Sequence, residues 1–288
     1  MWTLRRRAEN AVDGWDGQTY RRVLLLGGRP VEVAVTQIAS PQSPELQVSV
    51  TGTTAGSGIK AALAPVLERM FSLKVDLGEF YRFAARDVRL APLAERFQGM
   101  RPPRFPAVFE ALVNGFACQQ MSLTLGIMLL SRLSQSYGLA AGEGNLARHA
   151  FPRPVDLAGL DPRALRPLGF SYQKSRAIVE AAQAVYQRQL DLESLANLSD
   201  DEAVHRLEQL RGVGRWTAEY VLLRGLGRWH LFPGDDVGAR NNLTRWLKLR
   251  KPLDYQRVQR ILARWNGYGG LIYFHLLLDR LATAHLLP

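Results

Sequence analysis

A single cysteine, Cys118, stands in this 288-residue chain. That excludes an intramolecular disulfide and any site built from several thiolates, such as a four-cysteine iron–sulfur cluster or a zinc knuckle. The lone thiol is expected to be a small buried hydrophobe. The five histidines, His149, His205, His230, His275 and His285, are scattered without H-x-x-x-H or paired-carboxylate spacing, so no metal enzyme is indicated. The stretch GTTAGSGIK lacks the G-x-x-x-x-G-K-[ST] pattern of a phosphate loop. There is no repeat of fixed period and no low-complexity tract, which leaves out a solenoid or a long disordered tail. Long apolar runs are missing as well. Leu24 to Leu26 is far too short to span a bilayer, and MWTLRRRAEN has positive charge with no apolar stretch behind it. A cytoplasmic protein without a membrane partner is expected.

What is present is apolar residues, at 47%, and arginine, which makes up 32 of the 37 basic residues. The length and apolar content can bury a substantial core and are long enough for two domains. The formal net charge is +11, which favours a polyanionic partner. The charge is uneven: from Arg211 to the C-terminus there are 13 Lys plus Arg against 5 Asp plus Glu, or +8 of the total. A surface for nucleic acid is expected there.

Strand signals crowd the first hundred residues: RRVLLL, a GGRP turn, VEVAV, and LQVSVTG with alternating apolar and polar positions. After Gly58, IKAALAPVLERMF has helical periodicity, with Pro65 expected as an early break or first-turn residue. Around GMRPPRFP the prolines interrupt all periodicity. Beyond them come amphipathic helices: AVFEALVNGFAC, SLTLGIMLLSRLSQSYG and KSRAIVEAAQAVYQRQL. The expectation is an α+β N-terminal domain, a small antiparallel sheet with a helix, over residues 1–100, followed by an all-α domain over residues 101–288.

The stretch from Ser199 to Leu247 is the most informative. Ser199 and Glu202 have capping-box spacing, so a helix starts there and runs through Gln209. In LRGVGRWTAEYVLL, Gly212 and Gly214 permit a tight turn before a second helix opens at Arg215. A helix start offers free N–H groups and a positive dipole end, which suit a phosphate without reading any base. Glycine turns also end ordinary helices. Some twenty residues on, FPGDDVGAR delivers Asp235 and Asp236 to the start of another helix, where N-capping is the simplest role for either carboxylate.

The hairpin, WTA and FPGDD together resemble the helix-hairpin-helix glycosylases, within them the branch of bacterial 3-methyladenine DNA glycosylase II. RPPRFPAVFEALVNGFACQQMS and LGFSYQKSRAIVEAA share that resemblance, as does the small N-terminal sheet domain. The resemblance implies Asp236 as the catalytic carboxylate, opposing the oxocarbenium charge that develops when an N-glycosidic bond breaks. Whether it also deprotonates water stays open, since both roles need the same ionised group. Trp216 stands where strand-cleaving members carry a lysine, so a monofunctional enzyme leaving an abasic site is implied. Trp216, Tyr220 and Tyr268 are implied as the base pocket, where aromatic faces favour a cationic alkylated base. Gln120 is implied as the wedge that holds open the gap left by a flipped nucleotide. Gly212, Gly214 and Arg215 would hold the DNA backbone. The carbonyls of Leu210 and Val213 would hold a structural Na+ or K+, and no other cofactor is required. The expected partner is duplex DNA with damaged bases, bound by a monomer. Val237 stands where some members have an aromatic, and GYGG (267–270) lacks the Arg-Ser of others, so the lesion spectrum is open. The alternatives are the same fold acting on oxidised or deaminated bases, or a DNA-binding module without chemistry.

Overall fold

The computed structural model describes residues 7–39, 45–52, 57–142, 144, 147–265 and 267–286. Part of MWTLRRRAEN and of GTTAGSGIK lies outside these.

Alternation of apolar and polar residues builds the sheet. Strands β1 (Gly14–Trp15), β2 (Thr19–Leu26), β3 (Arg29–Gln37) and β4 (Leu46–Thr51) form an antiparallel meander in sequential order. Leu26 pairs with Arg29 across the Gly27–Gly28 turn, where both glycines have positive φ. This leaves Val31, Val33 and Val35 on one face, all buried with Tyr20 and Leu24 against Leu63, Leu67 and Met70 of helix α1 (Ser57–Phe71). Pro65 lies inside α1 rather than breaking it or opening it. Its ring and Ala61 are both exposed, so the carbonyl that loses its helical partner can be hydrated.

Two short helices follow, α2 (Gly78–Ala84) and α3 (Leu90–Arg96), and then the helical array. It comprises α4 (Val108–Cys118), α5 (Leu123–Tyr137), α6 (Pro154–Leu157), α7 (Tyr172–Tyr186), α8 (Asp200–Glu208), α9 (Arg215–Val221), α10 (Val237–Trp246), α11 (Tyr255–Leu262) and α12 (Gly269–Thr283). A two-stranded ribbon, β5 (Ala140–Ala141) with β6 (Arg148–His149), interrupts the otherwise helical part and packs Ala141 and Ala150 against Val23 of the sheet.

Burial divides the molecule differently from composition. One core joins α4, α5, α7, α8 and α9 through residues such as Leu112, Phe116, Leu133, Ile178, Leu207 and Val221. A second joins Phe80, Leu90 and Leu93 of α2 and α3 to Leu243, Val258, Trp265 and Ile272 near the C-terminus. Residues 77–94 therefore pack with the last helices rather than with the sheet, although they precede the proline-rich stretch. The sheet is tied to α4 by a buried ionic cluster. Arg22 donates to Asp13 at 2.7 Å and to Glu110 of α4 at 2.5 Å, and the Tyr20 hydroxyl donates to Asp13. Removing one member would strand the others in a dry site.

Candidate active site

Ser199 opens α8 with the capping box its spacing predicted: Ser199 Oγ accepts the Glu202 N–H at 3.3 Å, and Glu202 Oε2 accepts the Ser199 N–H at 2.9 Å. The chain then turns at Gly212, φ +75°, where an added Cβ would come within 3.3 Å of Ala177 Cβ. Gly214 begins α9 without a side-chain cap, and Gly212, Gly214 and Arg215 are all exposed at the tip. Beyond Val221 the helix widens into a π turn over Leu222–Leu226. The freed carbonyls at that end are occupied: Gly225 O accepts from Arg69 at 2.9 Å and from Arg104 at 2.7 Å, and Arg224 O accepts the Phe105 N–H at 2.9 Å. The helix that carries the hairpin is thus held at its far end by two cations.

A cavity of about 920 Å³ opens beside α9. Trp216 and Tyr220, one turn apart, stack at 5.5 Å with their rings 24° from parallel and form one wall. Asp236 borders the same cavity as the N-cap of α10. Its Oδ1 accepts the Ala239 N–H at 2.8 Å, and its Oδ2 accepts Trp216 Nε1–H at 3.3 Å. One oxygen is therefore fixed by its own helix and the other is aimed along the aromatic wall. Capping is part of what Asp236 does, and it is also what orients the carboxylate. Asp235 and Arg224 border the cavity too, and the Arg224 guanidinium lies over the Phe105 and Phe274 rings at 4.9 and 5.4 Å.

The loop after α4 borders the cavity as well. Gln120 is exposed there with φ +51°, a left-handed conformation that costs a non-glycine residue energy. Its neighbours hold it. Gln119 Nε2 donates to Gly212 O at 2.7 Å and to Thr217 Oγ1 at 2.6 Å, which ties the loop to the hairpin. Lys174 of α7 donates to Ala117 O at 3.1 Å and to Gln119 O at 2.7 Å. Burial lowers the pKa of that lysine, and it is not among the residues bordering the cavity.

A family model described as HhH-GPD superfamily base excision DNA repair protein matches residues 113–267, more than half of the chain. The chain belongs to this superfamily. It is 29% identical over 210 residues to the DNA-3-methyladenine glycosylase of Bacillus subtilis, a match covering 73% of this chain and 69% of that protein. It is 28% identical over 179 residues to DNA-3-methyladenine glycosylase 2 of Escherichia coli, covering 62% and 60%. The solved structure of the 3-methyladenine DNA-glycosylase from Archaeoglobus fulgidus superposes with a TM-score of 0.82 at 27% identity, covering 95% of this chain and 91% of that one.

Within this superfamily member, one expected pocket residue is misplaced. Tyr268 does not border the cavity. It precedes α12 and packs its ring against Phe83 at 4.9 Å and Phe80 at 5.4 Å, in the second core. Tyr273 takes the place at the cavity, with Leu277 and Leu281 following at one-turn spacing on the same face of α12. That i, i+4, i+8 stripe was available in the sequence as a signal. Cys118 is half-buried at the cavity rim rather than deep in the core.

Glu219 was also missed. It is buried on α9, where its Oε2 accepts the Gly234 N–H at 3.1 Å and its Oε1 accepts the Tyr255 hydroxyl at 2.7 Å. Burial pushes its pKa up to about 7. The hydrogen bonds from Tyr255 and Gly234 work against that rise, Asp235 adds to it, and Arg215 opposes it. A buried carboxylate within a WTAE run reads from sequence as an ordinary helix glutamate, so no local signal marks it.

Proposed function

We propose that this protein is a monofunctional DNA glycosylase that accepts an extruded alkylated base, of the 3-methyladenine or 7-methylguanine type, and hydrolyses its N-glycosidic bond to leave an abasic site. The observation that carries this reading is the Asp236 carboxylate, oriented by Ala239 N–H and Trp216 Nε1–H at the edge of a stacked aromatic wall. An ionised carboxylate there would stabilise the positive charge that gathers on the sugar as the bond to the base lengthens. The Trp216–Tyr220 pair gives a cationic base a π face. Gln120, raised on its left-handed turn at the rim, would fill the gap left in the duplex. The exposed hairpin tip at Gly212, Gly214 and Arg215 would hold the DNA backbone through main-chain N–H groups and charge, independently of base sequence. Trp216, with no lysine among the described residues bordering the cavity, supports base removal without a Schiff base.

Leu210 O accepts the Val213 N–H at 3.1 Å, which leaves a lone pair for an ion. A monovalent cation held by Leu210 and Val213 carbonyls would bridge hairpin and phosphate and take no part in bond breaking. The names of the relatives, 3-methyladenine glycosylases, agree with the substrate class.

Arg224 favours a second reading of the substrate. A guanidinium bordering the cavity disfavours a cationic base relative to a neutral one. The experiment is release of 3-methyladenine and 7-methylguanine from methylated duplex DNA in single turnover, set beside release of a neutral oxidised or deaminated base. Asp236→Asn is the paired variant. Release by the wild type that collapses in the variant while DNA binding persists supports the glycosylase. Faster release of the neutral base moves the substrate to the second reading, and DNA binding without any release leaves a binding module.

A further inference from the structure

We infer that Glu219, which does not border the aromatic cavity, is a positioning residue for the reaction: its carboxylate clamps the Pro233–Asp236 turn to the hairpin helix and so sets where Asp236 stands. The inference rests on the reading of Asp236 above. Glu219 lies on α9 one turn beyond Trp216. Its two oxygens reach two other elements: the Gly234 N–H, two residues before Asp236, and the Tyr255 hydroxyl at the start of α11. The turn has no slack against that neighbour. A Cβ at Gly234 would come within 2.6 Å of the Tyr255 ring. Arg215, also on α9, lies over that ring at 4.5 Å. Trp216 and Glu219 therefore grip the same turn from one helix, the first at the carboxylate itself and the second at the backbone leading to it. An error of about 1 Å in such a group can cost a large factor in rate.

A second cavity of about 490 Å³ is bordered by Glu219 and not by Asp236. The charged and titratable groups around it are Asp200, Asp201, Arg215, His230 and Tyr255, and Asp235 acts on Glu219 from the turn. His230 and Arg228 both engage Asp200, His230 at 2.5 Å, so Asp200 is already neutralised by its own partners. Only the ionised Glu219 accepts both of its hydrogen bonds, and charge strengthens each. The neutral acid accepts one and must donate at the other. Glutamine has the same pattern as the neutral acid, whereas alanine keeps neither bond.

The test compares wild type, Glu219→Gln and Glu219→Ala in single-turnover release of methylated bases across pH, together with DNA affinity and amide exchange of the 231–239 peptide in the free protein. In the wild type, release should rise as pH passes through about 7. Glu219→Gln should lack that rise. It should match the wild type at low pH and fall roughly fivefold behind at about pH 8. Glu219→Ala should lose about 10- to 100-fold at every pH with DNA affinity retained, and its 231–239 peptide should exchange faster. Unchanged release and unchanged exchange in both variants would overturn the clamp. Should the alanine variant not fold, the pH profile of the glutamine variant decides. Should the wild type release no base, the function proposed above fails, and the exchange measurement alone still decides whether Glu219 holds the turn.

Discussion

Two of the loops that border the aromatic cavity differ in how they present their functional residue. The 233–236 turn ends in the functional residue itself as a cap, Asp236 on α10 through Ala239 N–H, and is backed by Trp216 and Glu219 of α9 and by Tyr255 of α11, on which Gly234 lies flush. The loop at 119–122 leads into α5 with an ordinary Ser122 cap, but its exposed end at Gln120 is in a left-handed conformation and is held from outside, by Lys174 and by Gln119 reaching the hairpin. A carboxylate that must stay in place suits a helix cap backed by contacts from other helices. A side chain that must enter DNA suits an exposed, strained position whose cost is offset by neighbours.

Four substitutions would break this comparison. The largest effect belongs to Asp236→Asn. Asparagine still caps α10, so unfolding in urea should barely shift, while base release should fall by about 10²- to 10³-fold. A large loss of stability would mean that the capping role cannot be separated from the charge. Gly234→Ala comes next. Its methyl must displace the Tyr255 ring from Glu219, at about 1–3 kcal/mol of stability, and a denaturation midpoint unchanged from wild type would refute the flush packing. Lys174→Ala should leave two carbonyls at the end of α4 without their donor, at about 1–2 kcal/mol, and should slow release by loosening the rim rather than by touching the chemistry. The smallest effect has opposite signs for stability and function. Gln120→Gly should relieve the left-handed strain and raise stability by up to about 1 kcal/mol, yet weaken release. Equal release by the glycine variant would remove Gln120 from the wedge role.

Features legible in the sequence share a short range. The capping box at Ser199, the glycine turn at Gly212, the i, i+4 pair Trp216 and Tyr220, and an aspartate after Pro-Gly at a helix start are each fixed by residues within about one helical turn. The sheet register is local as well, set by alternation and the Gly27–Gly28 turn. Tyr268 failed because motif position says which residue is nearby but not which way it faces. Entering α12, it met Phe80 and Phe83 from the other end of the chain. Pro65 failed for the converse reason, since an exposed face let the helix tolerate it.

By itself, then, the sequence determined the hairpin, the aspartate cap at Asp236 and the sheet-then-helices order, because periodicity, caps and turns act through neighbouring bonds. The tertiary structure alone decided that α2 and α3 join the C-terminal core, that Tyr273 rather than Tyr268 borders the cavity, and that Lys174 and Glu219 hold the two loops. Those choices rest on contacts between residues 15 to 195 positions apart. Whether such residues meet depends on how all the apolar faces are buried at once, which no local pattern encodes.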